Sequence, residues 1–460
     1  MVEPTPHRIL DARPERVSIE AWWMLAVLLL LYTLSFVDRI VISMLVDPIK
    51  ATLGLSDVQM GLIIGPAFGV AYCIFGYVFG LAADRTSRRK VIFGGVTLWS
   101  LSAGLSGLAG SFAGLLLFRV GVGAGEAALT PAAYSMLTDR FPRRRLTTAM
   151  AIYQMGAKLG AALAFAIGGV SIAFAATIQH SHWPIVGNME PWQIALALTG
   201  LPGVLLALLV FTFREPLRGA STNAAADRPP LIPFLRSEAR ALVPMAIGFA
   251  SISITMYSLT SWAPTYMSRQ FGWHPAQYGP ALSVISLVGA GSMIVKGMFV
   301  DWLYGRGMRD AHLRFFTWLL AATIPVGAVA FFLTDPWWFL IAYGVMQVVA
   351  LQFVVFMGAT LQLFVPPTLR GQVTGLFLGV FTFLGLGAGP TFTAFLTDYV
   401  FQDEAKLGMS LATTTCLTIP LAWISLRYAL TPVRAVLARQ NRPEILRAEP
   451  ENNVDRVAQP

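Results

Sequence analysis

Residues 28–46 read LLLLYTLSFVDRIVISMLV, and in the middle of this apolar run stand a full acid, Asp38, and a full base, Arg39. A bilayer core asks about 20 apolar residues of a helix. An ionised side chain at mid-depth costs about 3 kcal/mol on insertion scales and is kept where it faces protein or a water-filled cavity. The stretch therefore reads as a membrane helix whose two charges look inward.

Composition extends this reading to the whole chain. Of 460 residues, 56% are hydrophobic and 12% charged, the latter about half the usual share for soluble domains. With 41 Gly, 17 Met and 30 Phe, this is the make-up of a polytopic membrane protein. The net charge of +9 does not indicate nucleic acid, because the basic residues sit in short loops between apolar runs. Cys73 and Cys416 lie inside apolar runs, which gives neither a disulfide framework nor a metal site. Of five His, His180 and His182 fall in an outer loop and His7 in the N-terminal tail. No nucleophile, base or metal cluster emerges, so neither an enzyme nor a cofactor is expected. The polar start is not a signal peptide of ordinary form, and the first apolar run reads as a retained signal-anchor helix.

Twelve spans are predicted: roughly 21–46, 58–82, 91–110, 112–137, 146–176 and 192–213, then 240–267, 275–302, 313–333, 337–364, 371–397 and 408–430. Lys and Arg set the orientation. Of the 33, only Lys50, Arg269 and Lys406 fall on one side, and Arg39, Arg119, Lys158 and Lys296 lie within spans. The remaining 26 share the side of both chain ends, which is therefore expected to be cytoplasmic. REPLRGASTNAAADRPPLIPFLRSEAR, residues 214–240, is too polar and Pro-rich to build a core. The expected organisation is an all-α membrane protein: a cytoplasmic tail 1–20, a six-helix bundle 21–213, a linker 214–239, a second six-helix bundle 240–430 and a tail 431–460.

The halves echo each other. In GLAADRTSRRK (80–90) and GMFVDWLYGRG (297–307), Gly80 and Asp84 align with Gly297 and Asp301 at one offset. RFPRRR (140–145) likewise echoes VPPTLR (365–370). Two parallel halves about an axis along the membrane normal form a transporter plan, with the site near the midplane where they meet.

G-x-x-x-D-R-x-x-R-R between the second and third spans resembles the cytoplasmic loop motif of the major facilitator superfamily, departing from it at Ser87, where the family usually has Gly. The resemblance covers essentially residues 20–430. FVDRIVISMLVDPIK (36–50), LSDVQMGLIIGPAF (55–68), TLWS (97–100) and FRVGVGAGEAALTPAAYS (118–135) look like the Spinster-like branch. Asp-Arg in the first span with R-x-G-x-G-x-G-E-A in the fourth is also similar to organic-anion and organic-cation symporters. The Spinster resemblance implies proton-linked transport of lysolipids or sphingoid lipids.

The intramembrane charges form one set: Asp38 and Arg39 in the first span, Arg119 and Glu126 in the fourth, Lys158 in the fifth. Counting about 1.5 Å per residue, Asp38 and Arg119 share a depth, as do Glu126 and Lys158. A carboxylate beside a cation keeps a low pKa, and one left in apolar surroundings does not. Asp38, then Glu126, are the expected proton carriers. Fixed ion pairs that pin the helices are the bland alternative. Lys296, near the inner end of the eighth span, reads as snorkelling. SISITMYSLTSWAPTYM (251–267) is rich in hydroxyls, most of which are expected to bond backbone. Arg39, Arg119, Lys158, Tyr257, Gln347 and Gln352 are the expected substrate contacts, an anionic head lying toward the cations and an apolar body toward the second half.

Gly80, Asp84, Arg85, Arg88 and Arg89, with Asp139, Arg145, Asp301 and Arg370, are expected to form a cytoplasmic gate. Asp84 would meet the N-terminus of the eleventh span, where Gly80 permits close approach. GVGAGEA (121–127) and MGAKLGAAL (155–163) read as packing faces, and GLGAGP (385–390) as a kink at Pro390. The expected function is proton-coupled secondary transport of an amphiphilic, anionic, lipid-like substrate by alternating access, by a monomer in a bacterial inner membrane. An organic-anion/proton symporter or a small-amphiphile or drug exporter is the alternative. A passive facilitator or channel is more distant, since it needs no titrating acid.

Overall fold

The computed structural model describes residues 17–178, 189–217, 230–366 and 369–440. The expectations for the tails 1–16 and 441–460, for linker residues 218–229, and for His7, His180 and His182 lie outside the described residues. Twelve helices are long and apolar enough to cross a membrane: span 1 (Ile19–Met44), span 2 (Asp57–Arg85), span 3 (Arg88–Leu108), span 4 (Phe112–Arg140), span 5 (Thr148–Ala175), span 6 (Pro191–Thr212), span 7 (Ala239–Phe271), span 8 (Pro275–Gly305), span 9 (Ala311–Phe332), span 10 (Pro336–Phe364), span 11 (Arg370–Phe401) and span 12 (Glu404–Arg439). The last helix continues to Gln440, past the boundary at 430, and residues Leu231–Ser237 of the linker form a short helix of their own.

Local chemistry explains the starts. Ser18, Ser56, Ser87 and Ser111 each accept the amide three residues on, capping spans 1, 2, 3 and 4. With an even number of spans, both chain ends and the linker share one face, the terminus face; the other is the opposite face.

Glycines set where helices touch. A Cβ on Gly123 would stand 2.4 Å from the Phe68 carbonyl, and one on Gly160 2.4 Å from the Thr33 carbonyl, so GVGAGEA and MGAKLGAAL pack span 4 on span 2 and span 5 on span 1. Span 11 is interrupted by a π-helical segment, Phe383–Ala388, directly before Pro390. There Gly385 and Gly389 lie against span 7, while Gly65 of span 2 meets the Leu386 carbonyl. The two halves cross at this point.

The two faces differ. One apolar core runs from the second half into residues of the first half near the opposite face, including Val41, Leu45, Ile49, Met60 and Ile63. The rest of the first half, from Ala21 to Leu31 with Ile92, Leu129, Met136 and Phe213, has its own separate core. Toward the terminus face, Gly76, Gly80, Gly291, Gly297, Gly371 and Gly375 have open space where a Cβ would be. The halves are thus joined at the opposite face, while these glycines at the terminus-face ends of spans 2, 8 and 11 are not covered by a neighbour.

Charges reinforce the junction. Arg269, at the end of span 7, donates to Asp47 (2.8 and 2.9 Å) and to Asp57 (2.6 and 2.8 Å) of the first half. Lys50 pairs with Asp57 and, at 2.8 Å, with Glu404 of the second half. The Val58 amide donates to Asp398 at 2.7 Å. Asp57 is fully buried and Lys50 only 7% exposed. Asp47, Lys50, Arg269 and Glu404 border an open pocket of about 560 Å³. Removing one partner of a buried ionic network leaves the others uncompensated, at about 3–5 kcal/mol. Arg269→Ala is expected to loosen this junction. Spin labels at Ala51 and Ala405 should then move apart in pulsed electron resonance, and an unchanged distance distribution would count against the clamp.

Candidate functional site

The site forms where span 1 meets span 4. Arg39 forms an ion pair with Glu126, their side chains 13% and 1% exposed. Glu126 was expected to share a depth with Lys158; its ion-pair partner is Arg39. The direction of helical side chains accounts for the difference, because they lean toward their own N-terminus. Span 1 runs away from the terminus face and span 4 toward it, so Arg39 and Glu126 reach for one another. Lys158, on span 5, leans toward the terminus face and away from Glu126. It has no hydrogen bond or ion pair among the described residues.

The shared depth of Asp38 and Arg119 holds. Arg119 donates to the carbonyls of Asp38 and Arg39, both at 3.5 Å. The side chains of Asp38 and Arg39 nevertheless take different directions. Asp38 is 3% exposed, and the charges and polar groups that act on it, Glu126, Arg119 and Trp99, all belong to the first half. It points into the bundle, not to a vestibule between halves. Arg39 lies at the seam. Its guanidinium sits 4.5 Å from the Phe36 ring centroid, 4.4 Å from Phe68 and 5.7 Å from Tyr72. It also lies within electrostatic reach of Tyr257, from the other half. Tyr257 packs against both apolar cores.

Several atoms of this set are buried without a protein hydrogen-bond partner: both Asp38 carboxylate oxygens, Glu126 Oε1, Arg39 Nε and Arg119 Nε. Such groups are rare in folded proteins and gather where chemistry or water requires them.

The other expected contacts divide. Gln347 donates to its neighbour Tyr343 at 2.7 Å. Gln352 accepts from Ser292 (3.2 Å) and from Lys296 (3.0 Å), and Lys296 also donates to the Val348 carbonyl. Lys296 therefore does not snorkel to the membrane surface; backbone and amide oxygens of span 10 hold it inward. The hydroxyls of span 7 mostly serve packing. Ser251 and Ser253 bond backbone, Thr255 meets Thr418, and Ser258 donates to the Gly389 carbonyl. Sequence reading missed a ring of tyrosines near Arg39, comprising Tyr32, Tyr72 and Tyr134, with Tyr153 stacked on Tyr32 at 4.4 Å. It also missed the clamp of Asp47, Lys50, Asp57, Arg269 and Glu404. Lys50 and Arg269, two of three cations on the wrong side for topology, were the signal for the clamp.

Among the described residues, Arg88, Arg89 and Arg370 make their side-chain contacts within their own halves. Gly80 has open space around it, and Asp84, Arg85, Arg145 and Asp301 are exposed. Arg370 Nε donates to the Val365 carbonyl at 3.1 Å. Arg89 packs over Phe211. Arg88, 1% exposed, works inside the first half: it pairs with Asp139, with Ser135 (2.9 Å) and with Glu215 (3.2 Å). Those gate contacts are expected in the outward-open state; in the state described, Arg88 and Asp139 pair within the first half. The guanidinium is long enough to reach its own bundle's acids, and those desolvated bonds hold it there.

Twelve spans in two bundles, joined at one face and parted at the other around a buried ionic cluster, define a multi-pass secondary transporter. The Major Facilitator Superfamily model matches residues 28–428, and the chain belongs to that family. An "MFS-type efflux pump" of Mycolicibacterium smegmatis is 28% identical over 390 residues, covering 83% of this chain and 86% of that protein. Human "Protein spinster homolog 1" is 29% identical over 272 residues, 57% of this chain, and the match spans 48% of the human protein. The crystal structure of a bacterial homologue of the human lysosomal transporter Spinster, inward-facing and unoccupied, superimposes with a TM-score of 0.78 at 24% identity over 92% of this chain and 98% of that one. The protein is a major facilitator transporter related to Spinster.

Two predictions follow from this geometry. Arg39→Met and Glu126→Gln each strand a buried charge, whereas the double variant strands none, so either single variant should melt lower than the double. Additive losses in a thermal melt would show that the pair is not coupled. Glu215 is partly buried, which alone would raise its pKa, yet the Ser87 hydroxyl and the Arg88 amide and guanidinium hold it below the usual carboxylate range. A depressed folded-state pKa gives stability that is present above the unfolded value of about 4.3 and lost as pH falls through the folded one. Acidification below about pH 4.3 should therefore lower the melting temperature of the wild type more than that of Glu215→Gln, and parallel curves would refute the linkage.

Proposed function

We propose that this protein is a proton-coupled transporter that moves an amphiphilic, anionic, lipid-like molecule by alternating access. It acts as a monomer in a bacterial plasma membrane with both termini cytoplasmic. Under the Lys and Arg distribution, the terminus face is the cytoplasmic one, so the state described is inward-facing. The observation that carries the reading is the buried set Asp38, Arg39, Arg119 and Glu126, two acids and two bases in one bundle, with Arg39 alone presented to Tyr257 of the other half.

Two acids share two arginines here, so a proton on one acid changes which arginine the other holds. Glu126 now holds Arg39, while the Asp38 carboxylate has no hydrogen bond to either base. Asp38 is the first carrier in this scheme: its carboxyl can gain or lose a proton without breaking a formed pair. Glu126 is the second, because protonating it frees Arg39 toward the seam. A freed Arg39 can meet an anionic substrate group, with Tyr257 and the surrounding rings providing the amphipathic wall. Closure of the cytoplasmic face then requires the clamp at Arg269 to open and the Gly80 region to approach the second half.

A lipid-like substrate is what the resemblance to the Spinster branch implies, and the similarity to a mycobacterial efflux pump supports outward movement. In proteoliposomes, uptake by the wild type should follow an imposed pH gradient, and Asp38→Asn should reduce it to the rate seen with no gradient. Full gradient-driven uptake by Asp38→Asn would remove Asp38 from the coupling role. Competition by small carboxylates, but not by lysolipids, would favour an organic-anion symporter.

A further inference from the structure

Spans 1, 4 and 5 carry a chain of contacts from Arg39 toward the terminus face. Tyr32, Phe36 and Arg39 stand at i, i+4 and i+7 on span 1 and so share one face. The Phe36 ring lies 4.5 Å from the Arg39 guanidinium and 5.2 Å from the Tyr32 ring. The Tyr32 hydroxyl donates to Gln154 Oε1 of span 5 at 3.2 Å, and Gln154 Nε2 donates to the Tyr134 hydroxyl of span 4. Tyr153, fully buried, backs this group: it stacks on Tyr32, meets Tyr134 edge-on at 5.7 Å, and its own hydroxyl pairs with Thr130 at 3.4 Å. Arg39 marks where the face meets the seam. Its guanidinium lies over Phe68, and a Cβ on Gly69, the next residue, would stand 3.5 Å from the Gly387 amide nitrogen of span 11. Tyr32 is seven residues from Arg39, about 10 Å nearer the terminus face.

The polar tips of this group are open to a ligand. Tyr32 and Tyr134 are half-buried and Gln154 is exposed. Each bond between them uses only part of what the side chains offer. One amide N–H of Gln154 and the Tyr134 O–H have no acceptor among the described residues, and the Tyr32 oxygen can still accept. None of the three carries a charge. Neutral donors and acceptors beside aromatic rings suit a group with hydroxyls and an apolar carbon side. The chain of bonds does not conduct protons, because an amide accepts at oxygen and donates at nitrogen.

We infer that Tyr32, Tyr134 and Gln154 form a neutral subsite for a hydroxylated head group, a glycerol or sugar unit, on the terminus-face side of Arg39. The inference rests on the reading of this chain as a carrier of anionic amphiphiles and narrows its substrate: the anionic group meets Arg39, and the hydroxyls next to it reach Gln154 and the two tyrosines.

The test uses full-length protein in lipid nanodiscs, with melting temperature read against ligand concentration. The probes are dodecanoyl lysophosphatidylglycerol, dodecanoyl lysophosphatidylmethanol and tailless galacturonate. The two lysolipids share chain and charge and differ in the glycerol hydroxyls. Wild type should answer the glycerol compound at about tenfold lower concentration than the methanol compound, the scale of one or two hydrogen bonds. Gln154→Met should erase that preference and leave the response to the methanol compound intact. Tyr134→Phe, which keeps the ring, carries the same expectation if Gln154→Met does not fold. Tyr153→Phe, altered in the buried backing ring, should keep the preference. A wild type that binds both lysolipids alike, or a preference that survives in Gln154→Met or Tyr134→Phe, overturns the subsite and leaves the amphiphile reading standing. A wild type that ignores both lysolipids but is stabilised by galacturonate, with the effect lost in Gln154→Met, keeps the subsite and removes the amphiphile reading. No response to any of the three overturns both.

Discussion

A charge in hydrocarbon must be answered by another within reach of its side chain, and reach in a helix bundle is directional. Arg39 and Glu126 satisfy this because their helices run in opposite senses and each side chain leans toward the other. The bond fixes the rotation of span 1 against span 4. That rotation in turn sends Asp38 into the bundle and Arg39 to the seam. The arrangement of the remaining groups follows: Arg119 caps the carbonyls of residues 38 and 39, and Phe36, Phe68 and Tyr72 form a ring cage around the guanidinium. Adjacent residues in the chain have thereby acquired separate surroundings.

The same economy of reach governs the two faces. At the opposite face, Arg269 crosses between halves to Asp47 and Asp57, and the apolar cores are continuous there. At the terminus face, Arg88 turns back to Asp139 and Glu215 of its own bundle. Among the described residues, the ion pairs from Arg269 and Lys50 across the halves lie where the cores merge, which binds the molecule at that end. This is the mechanical requirement of a rocking transporter. It is met with glycines at the crossing of spans 2, 7 and 11 and with charge at the rim.

Much was legible in the sequence because the membrane constrains it harshly. Apolar length located all twelve spans. The glycine motifs marked the packing faces, and GLGAGP marked the break in span 11. The charged residues of spans 1 and 4 were identified, and the depth of Asp38 against Arg119 was right. Depth counting could not name the partner of Glu126, because it records where a Cα sits and ignores where the side chain goes. Lys296 was misread for the same reason: its position suggested the membrane surface, while its contacts with Val348 and Gln352 keep it inside.

By itself the sequence determined the class of protein, its two-bundle plan and the set of buried charges, since hydrophobic length, charge bias and internal repetition are one-dimensional properties. Only the tertiary structure decided which acid meets which base, which face is closed, and that Asp38 and Arg39 point apart. Those outcomes depend on helix rotation, side-chain direction and contacts between residues as distant in sequence as Asp47 and Arg269, and a linear pattern carries none of these.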